Sequence, residues 1–435
     1  MRARSVKLLG NGIVLSLVTS TLLHATNGDN LIAVGTKARG MGGAGIAVSH
    51  CAESTLHNPA LITCTKGTSI SFGGTIFMPD ISTQMWTEMG MAAKHDSEAD
   101  MNVIPEVSIS HKLNDNWYLG IGMWGTAGMG TDYRDAPTIT GADSGNMHMV
   151  TNLQLMQFGV SLAYKTGGLG FAVTPVLQYG SLDINYNGLD GNSVGDGVAQ
   201  DLNFGINLGA YYDFTNNGID GLTLGAVYKS KIDMDYSNQL SNATQPFADM
   251  GMFPEAMDDN LEQPAEIGVG LGYKINQHTF AFDYKQIQWS DAKGYKDFGW
   301  EDQDVFAVGY QYAQDNWVLR AGYNHASQPI TEAPSGGATQ SPTMPGPYPY
   351  AGGDAINLFN LLGFPATAED HYTIGGSYAF TDSFAIDLAY VYAPETETTM
   401  NTITGVNTDN GDLYTGSSTV YHTENSVSVQ LSYKF

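Results

Sequence analysis

The sequence contains few charged residues for its length. Only 14% of its 435 residues are charged, whereas soluble domains carry roughly 25%. A soluble protein of this size normally covers its surface with such residues, so the composition argues against an ordinary soluble protein. A run of about 18 apolar residues is also missing outside the N-terminus, which argues against a helical membrane protein. Glycine and tyrosine are abundant, at 52 and 24 residues, and they favour a mostly β chain whose outer face lies in something other than water.

Basic residues are especially scarce. The chain has 18 Lys and Arg against 44 Asp and Glu, which gives a net charge of −26. Nucleic acids are polyanions and need a basic surface on their partner. The charge balance therefore argues against a nucleic-acid partner.

Cysteine is nearly absent. The two residues Cys51 and Cys64 are an even number, which in an exported chain favours a disulfide. His50 and His57 lie nearby, so a zinc site is an alternative, although the spacing matches no common zinc finger. Two free thiols are the remaining alternative, and we predict no metal.

The N-terminus has the features of an export signal. Arg2, Arg4 and Lys7 precede a mostly apolar stretch, residues 8–23, and Leu23-His24-Ala25 is a plausible cleavage site. We therefore predict that residues 1–25 are a signal peptide and that the mature chain begins at Thr26.

From residue 67 onward the chain alternates between apolar and small or polar residues, with the period of two that is typical of strands. One apolar and one polar face suit a strand between lipid and a wet lumen. A soluble β-sandwich with the apolar face inside is the alternative. The predicted strands are residues 68–78, 102–113, 117–127, 149–165, 169–187, 200–214, 222–236, 263–275, 279–291, 303–314, 317–326, 368–380, 384–393 and 418–435.

The connections between these strands favour the membrane barrel. Short turns alternate strictly with mostly long connections, and outer-membrane barrels have short periplasmic turns and long external loops. Aromatic residues near the turns fit an interfacial girdle: Trp117, Tyr118, Phe214, Trp317, Phe380 and Phe384. The fold class is therefore all-β, a fourteen-stranded antiparallel transmembrane barrel formed by residues 67–435. The predicted location is the bacterial outer membrane.

Residues 26–66 precede the barrel, and they do not show the alternation of apolar with small or polar residues. Gly40, Gly42 and Gly45 match the dinucleotide-binding spacing G-x-G-x-x-G, but no βαβ unit follows. The better interpretation is that these small residues allow short helices to pack closely inside a barrel lumen. We predict no cofactor.

The segment also contains Asn58-Pro59-Ala60. A Gly/Ala-rich segment, this motif, fourteen strands and an alternating C-terminus ending in Phe435 together resemble the FadL family of outer-membrane transporters for long-chain fatty acids and hydrocarbons. The resemblance covers essentially the whole mature chain. Cys51 and Cys64 depart from the family pattern, as does His50, where we expect an acidic residue.

The resemblance implies that residues 26–66 form a hatch that plugs the lumen and contains the Asn-Pro-Ala motif. It also implies lateral release of ligand through a kink in the third strand, which we assign to Gly120, Gly122, Gly125 and Gly128. The C-terminal strand resembles the signal recognised by the barrel-assembly machinery. The implied activity is passive uptake of hydrophobic compounds by a monomeric protein in contact with outer-membrane lipid and lipopolysaccharide.

Capture of such compounds requires an apolar groove beneath the external loops. Flexible methionine side chains suit varied apolar ligands, and three loops carry suitable residues. The candidate ligand-binding residues are Met85, Trp86, Phe247, Met250, Met252, Phe253, Met257, Phe359 and Leu362. Residues 356–362 are compatible with a short amphipathic helix. Arg320, Lys229 and Lys285 are alternative candidates for the partner of a carboxylate. Packing of the loops against one another is the alternative role for these apolar residues.

Two other classes of function remain as alternatives. A general diffusion porin for small polar solutes would have the same barrel, but a plugged lumen argues against it. An outer-membrane enzyme or adhesin has little support, because no H-E-x-x-H or Walker motif occurs. We therefore do not expect an enzyme.

Overall fold

The alternating segments form a closed antiparallel barrel in the computed structural model of the chain. The structure describes residues 26–87, 89–136, 145–188, 192–335, 351–406 and 413–435. The predicted signal peptide, residues 1–25, lies outside the described residues. Fourteen long strands make up the barrel wall.

The strands are β1 (Thr68–Gln84), β2 (Asn102–Lys112), β3 (Trp117–Asp132), β4 (Val150–Thr166), β5 (Leu169–Asn187), β6 (Ala199–Asp213), β7 (Leu222–Lys229), β8 (Glu266–Ile275), β9 (His278–Ile287), β10 (Gln303–Gln314), β11 (Trp317–Ala326), β12 (Asp370–Thr381), β13 (Phe384–Val406) and β14 (Leu413–Lys434). The α-helices are α1 (Thr36–Arg39), α2 (Ser54–His57), α3 (Leu240–Asp249) and α4 (Gly352–Leu362). Short 3-10 helices cover Cys51–Glu53, Pro59–Cys64, Phe214–Asn217 and Trp289–Asp291.

Each strand pairs with its neighbours in the sequence, and the last strand closes the sheet on the first. β14 pairs with β1 from Thr419↔Gln84 to Lys434↔Ser69. Closure gives every strand a partner on both sides, which a sheet in lipid requires because no water is present to satisfy its backbone. The predicted fold class is confirmed.

Apolar side chains cover the outside of the wall and small or polar ones line the inside. On β6, Leu202, Phe204 and Leu208 are 54%, 72% and 42% exposed, whereas Asn207 is buried. Inside, the Ser161 and Thr174 hydroxyls lie 2.6 Å apart. This is the arrangement expected of strands with lipid on one side and a polar lumen on the other.

Aromatic rings also collect near the short turns. Trp117 packs on Tyr164 with ring centroids 4.8 Å apart, and Phe384 lies 5.7 Å from Phe380. Tyr118 does not belong to this girdle. It is only 5% exposed and packs with Leu61 and Ile62, because alternation turns it into the lumen.

Several predicted strand bounds are wrong at the outer end of the barrel. β7 ends at Lys229, not at residue 236, because Ile232, Met234 and Tyr236 turn inward and are buried under the loops. β13 and β14 extend to Val406 and from Leu413, well beyond the predicted ends. Their outer parts carry many Thr and Ser residues and lack apolar alternation, so the hydropathy pattern does not reveal them.

Residues 26–66 lie inside the barrel. α1 contacts β12 and β13, and the 3-10 helix Pro59–Cys64 contacts β3, β4, β5 and β6. We call this segment the hatch.

The external loops fold over the opposite end of the lumen. The predicted helix in the loop between β11 and β12 is present as α4, and every residue from Gly352 to Leu362 is buried. Its polar face, formed by Asp354, Asn357 and Asn360, is hydrogen-bonded to neighbouring segments. The loop between β7 and β8 contains α3, with Pro246 inside it. Among the described helices, none combines the length and the apolar composition needed to cross a membrane.

The outward position of Leu208 near the middle of β6 gives a test of the barrel. We expect Leu208→Arg to lower the free energy of unfolding in lipid vesicles by about 2–4 kcal/mol, since a charge on the lipid face is most costly at mid-membrane. Val198→Arg, at an exposed position just outside β6, is the control and should change it by about 0–1 kcal/mol. Urea titration followed by tryptophan fluorescence measures both. Equal effects would contradict the assignment of the lipid face.

Candidate functional site

Asn58 connects two parts of the hatch to the barrel wall. The residue is buried and extended, and its Oδ1 accepts a hydrogen bond from the Ala60 N–H at 3.1 Å, capping the helix that begins at Pro59. Its Nδ2 donates to the Ile46 carbonyl and to the Ala210 carbonyl of β6, both at 2.8 Å. One side chain therefore orders the turn and attaches it to the wall.

The wall is shaped for this contact at Gly209. A Cβ atom there would lie 2.2 Å from Asn58 Oδ1 and 2.7 Å from Pro59 Cδ. Ala60 is fully buried and belongs to a cluster with Ala163 and Tyr211 of the wall. Larger side chains on either surface would separate the hatch from β6.

The glycines that match the dinucleotide pattern also pack closely. A Cβ at Gly40 would lie 3.1 Å from the Cα of Gly375 on β12. Gly42 has a φ of 68° and its N–H donates to Thr373 Oγ1 at 2.9 Å. The N–H groups of Gly45 and Ile46 donate to Asp283 Oδ2 at 2.7 and 2.8 Å.

A charged network attaches α1 to the wall on the other side. Lys37 Nζ contacts Glu53 and lies 3.1 Å from Asp387 of β13. Burial lowers the pKa of Lys37, but attraction to Glu53 and Asp387 outweighs it and leaves the pKa above its usual value. The cation therefore stays charged and paired.

Arg320 lies beside this network and away from the loops. Its Nε donates to Gln311 at 2.8 Å and its guanidinium donates to Ser377 at 2.7 Å. The structure thus does not bring Arg320 together with the other candidate ligand-binding residues.

The two hatch histidines are uncharged. Burial lowers the pKa of His50 to about 4 and that of His57 to about 3. Their Nε2 atoms meet the carbonyls of Ala44, at 2.8 Å, and of Val34. Neutral rings that donate to backbone carbonyls hold the hatch together internally.

The two cysteines lie side by side. Cys51 Sγ is 2.6 Å from Cys64 Sγ. Contact with Cys64 is the main reason that the pKa of Cys51 falls to about 7. The disulfide stays a prediction. No group of three or more His, Cys, Asp and Glu in the described ranges is placed to hold a metal ion.

A large apolar cluster fills the space beneath the loops, and we call it the loop chamber. Its aromatic centre includes Phe247 and Phe359, with ring centroids 5.2 Å apart, and Phe298, 5.6 Å from Phe359. The structure brings together most of the predicted ligand-binding residues. Met85, Phe247, Met252, Phe253, Phe359 and Leu362 are buried members, and Met250 and Met257 pack against them. Trp86 is not a member and packs instead near Gly416 of β14.

Sequence reasoning missed the floor of the loop chamber. Trp289, Tyr295 and Trp300, between β9 and β10, form a trio with ring centroids 4.6 to 5.0 Å apart. The signal for it is the density of aromatic residues in a short connection, the first part of which the alternating pattern predicts as a continuation of β9. That strand ends at Ile287.

The first described residues form an N-terminal hairpin, residues 26–31, that lies against this floor. Thr26 pairs with Leu31, and Asn30 pairs with Ala127 of β3. The Gly128 N–H donates to the Asp29 carbonyl at 3.0 Å. The hairpin therefore stands between the loop chamber and β3.

β3 is irregular where the hairpin meets it. Its pairing with β4 shifts register between Gly125 and Ala127. Its pairing with β2 runs only from Lys112↔Tyr118 to Glu106↔Trp124. Pro105, the next residue of β2, has no N–H to donate, as is typical of strand edges. The two strands thus separate above this point.

A cavity of about 500 Å³ occupies the gap, and we call it the lateral cavity. Ile104 of β2, Gly125 and Gly128 of β3, Leu153 of β4 and Leu31 of the hairpin are among its lining residues. Gly120 and Gly122 lie below it, in the paired part of β3. A path of polar and apolar groups therefore leads from the hairpin to the side of the barrel.

Comparison with known proteins gives consistent results. The family model for outer membrane protein transport proteins (OMPP1/FadL/TodX) matches residues 17–336. A long-chain fatty acid transport protein of Escherichia coli O6:H1 is 25% identical over 335 residues, covering 65% of this chain and 73% of that protein. Outer membrane protein P1 of Haemophilus influenzae is 24% identical over 436 residues, covering 87% and 89%.

Solved structures share the fold. A Pseudomonas aeruginosa FadL homologue has a TM-score of 0.66 at 16% identity, covering 94% of this chain and 100% of that one. The toluene transporter TodX of P. putida has a TM-score of 0.63 at 18% identity, covering 93% and 99%. Since the family model spans more than half of the sequence, the chain belongs to the outer membrane protein transport family (OMPP1/FadL/TodX) and is an outer-membrane β-barrel.

Proposed function

We propose that the protein takes up hydrophobic compounds passively, from the class of long-chain fatty acids and hydrocarbons. The relatives include a long-chain fatty acid transport protein and a toluene transporter. The observation that carries the proposal is the lateral cavity between β2 and β3, whose lining residues Ile81, Leu153 and Leu155 also belong to the apolar cluster of the loop chamber.

Capture takes place in the loop chamber in this proposal. Transfer of apolar surface from water contributes about 25 cal/mol per Å², so a chamber lined by Met and aromatic side chains attracts hydrocarbon chains without a specific polar group. Met250, Met252 and Met257 fit this role because methionine adapts to ligands of different shapes.

Release then takes place sideways into the membrane. The N-terminal hairpin touches β3 through the Asn30↔Ala127 pair and the Gly128 N–H. Its displacement also requires the hydrogen bonds of Thr26 with Glu424, of Asn30 with Gln263 and of Asp29 with Tyr295 to break. Gly125 and Gly128 leave space at the wall, whereas Gly120 and Gly122 belong to the continuous sheet. A hydrophobic cargo that leaves through this gap avoids the polar lumen around the hatch.

The hatch, residues 26–66, keeps the lumen closed during this process. Asn58, Asp283 and Lys37 attach it to three parts of the wall. A closed lumen argues against the alternative of a general diffusion porin. We also propose that the protein has no catalytic activity and that residues 1–25 are removed on export.

Its proposed partners other than cargo follow from the barrel. A closed sheet exposes no strand edge for pairing with a second copy, which supports a monomer. The barrel-assembly machinery and lipopolysaccharide remain proposed partners of the wall and of the external loops.

Filling the lateral cavity tests the release route. We expect Gly128→Trp to lower the uptake of a labelled hydrocarbon or fatty acid several-fold, because Gly128 lines the lateral cavity and its Cβ would already lie 2.9 Å from the Leu153 carbonyl of β4. Gly376→Trp, a glycine in the regular pairing of β11 with β12, is the control. Uptake by cells with matched surface levels measures both. Undiminished uptake with Gly128→Trp would remove the lateral route.

A second test concerns the hatch turn. Asn58→Ala leaves the carbonyls of Ile46 and Ala210 without this donor, at a cost of about 1–3 kcal/mol, and should impair uptake while the barrel still assembles. Asn216→Ala, at an exposed position between β6 and β7, should behave as the wild type. Heat-modifiable mobility on gels reports assembly. Equal uptake by Asn58→Ala and wild type would show that the motif is an ordinary turn.

A third test separates this proposal from the porin alternative. In planar bilayers the intact protein should give little steady ion current, since the hatch occupies the lumen. Deletion of residues 26–66 should open a conducting pore, because the strands pair with one another and not with the hatch. Large steady currents from the intact protein would favour the porin.

A further inference from the structure

Asp29 is an acidic group placed where cargo would pass. It lies at the tip of the N-terminal hairpin and is completely buried. Its Oδ2 accepts a hydrogen bond from the Tyr295 hydroxyl at 2.5 Å, on the floor of the loop chamber. Its neighbour Gly28 has a φ of 63°, and a Cβ there would lie 2.8 Å from the Trp289 ring. The hairpin tip is therefore pressed against the aromatic trio.

Several buried polar atoms at the hairpin tip lack a hydrogen-bond partner among the described residues. Asp29 Oδ1, both side-chain polar atoms of Asn27 and the Asn30 Nδ2 are buried without a hydrogen-bond partner in the described part of the chain. Buried polar groups are normally paired, and an unpaired one costs about 1–3 kcal/mol. A carboxyl and two amides thus offer both acceptors and donors at the inner end of an apolar chamber.

Basic groups are placed elsewhere. Apart from Arg2, Arg4 and Lys7, all Lys and Arg residues of the sequence lie in the described ranges. In the lumen, Lys229 and Lys285 share Glu266 at 3.0 and 3.9 Å, and Lys37 and Arg320 belong to the network around Asp387. Lys229 and Lys285 line a small cavity together with Asn30, and their partner Glu266 lines it as well. Arg39 is fully buried in the hatch and donates to the Ala33 carbonyl and to Ser426.

The basic residues around the loops are likewise occupied or remote. Lys231 Nζ lies 2.6 Å from Asp291 and Lys293 Nζ lies 2.5 Å from Asp233. Lys296 is exposed to solvent. A carboxylate that entered the loop chamber would meet Asp29 without a compensating cation.

The charged groups that line the lateral cavity are largely paired with one another. Its lining includes the carboxylates of Asp132, Asp183 and Glu424. Arg134 is the one Lys or Arg among its described lining residues, and it hydrogen-bonds to Asp132 through Nε at 2.9 Å. Asp132 is therefore paired with Arg134, and the Glu424 carboxylate lies 3.3 Å from His422 Nε2, so these lining residues offer an anion no unpaired Lys or Arg.

Resting on the transport function proposed above, we infer that the cargo is uncharged. The hairpin tip accepts a hydrocarbon or a neutral amphiphile whose hydroxyl group can donate to Asp29 and accept from Asn30. The fatty-acid anion is excluded by repulsion from Asp29. Burial raises the pKa of Asp29 to about 7, against the opposing hydrogen bond from Tyr295, so the repulsion is strongest in buffer well above that value.

The test compares a long-chain primary alcohol with the fatty-acid anion of equal chain length, both bromine-labelled at the same carbon. Binding to the full-length mature protein in detergent is measured by quenching of tryptophan fluorescence, in buffer well above the pKa of Asp29. The wild type should bind the alcohol at least about tenfold more tightly, as expected for one unscreened like charge at short range. Asp29→Asn should reduce this preference to about threefold or less.

Asp220→Asn, which removes an exposed carboxylate between β6 and β7, is the matched control and should keep the full preference. Equal or tighter binding of the carboxylate by the wild type would overturn the inference, as would an undiminished preference in an Asp29→Asn protein with normal heat-modifiable mobility. If Asp29→Asn does not assemble, the wild-type comparison decides alone. Absence of quenching by either compound and by a brominated alkane would overturn the transport proposal itself.

Discussion

The pairing of β14 with β1 is the constraint on which the rest of the structure depends. Lipid offers no partner for a backbone N–H or C=O, so a sheet that crosses the membrane must close on itself. Closure fixes the alternation of the wall, with Phe204 and Leu208 outside and Asn207 inside. The interior of an eight-stranded barrel is just narrow enough for side chains to fill, whereas a fourteen-stranded barrel is wider and its side chains leave space in the lumen. A separate segment must therefore fill the lumen, and residues 26–66 do so.

The backbone N–H and C=O groups of the hatch also need hydrogen-bond partners, since the hatch lies inside the lumen and is largely removed from water. Inward-facing side chains of the wall provide these hydrogen bonds. Asp283 accepts two hatch N–H groups, Thr373 accepts one from Gly42, and Asn324 donates to the Gly42 carbonyl at 3.0 Å. Asn58 does the reverse and extends from the hatch to a wall carbonyl. The hatch is thus held by specific polar contacts, which can be exchanged more readily than a continuous apolar core.

The sequence was most informative where one physical rule acted alone. The bounds of β10 and β11, Gln303–Gln314 and Trp317–Ala326, agree with the prediction because strict alternation and a two-residue turn define them. The predicted end of β7, residue 236, lies too far along the chain. Ile232, Met234 and Tyr236 continue the alternating pattern although they no longer belong to the wall. Asp29 and the Trp289 trio could not be predicted as a site, since residues more than 250 positions apart meet there through a hydrogen bond between Tyr295 and Asp29.

The positions of the basic residues relate the net charge of the chain to its proposed cargo. With 18 Lys and Arg against 44 Asp and Glu, cations are few. In the lumen, Lys37, Lys229 and Lys285 lie within 4 Å of carboxylates. Arg39 instead donates to the Ala33 carbonyl and to Ser426. The pairing of Lys37 with Asp387 holds the hatch against the wall, because a buried charge is tolerated only when it is paired. Such pairing also leaves no cation for the cargo in the loop chamber. The same scarcity that first argued against a nucleic-acid partner therefore bears on the choice of cargo, since an anion would have to displace one of these ion pairs to be neutralised.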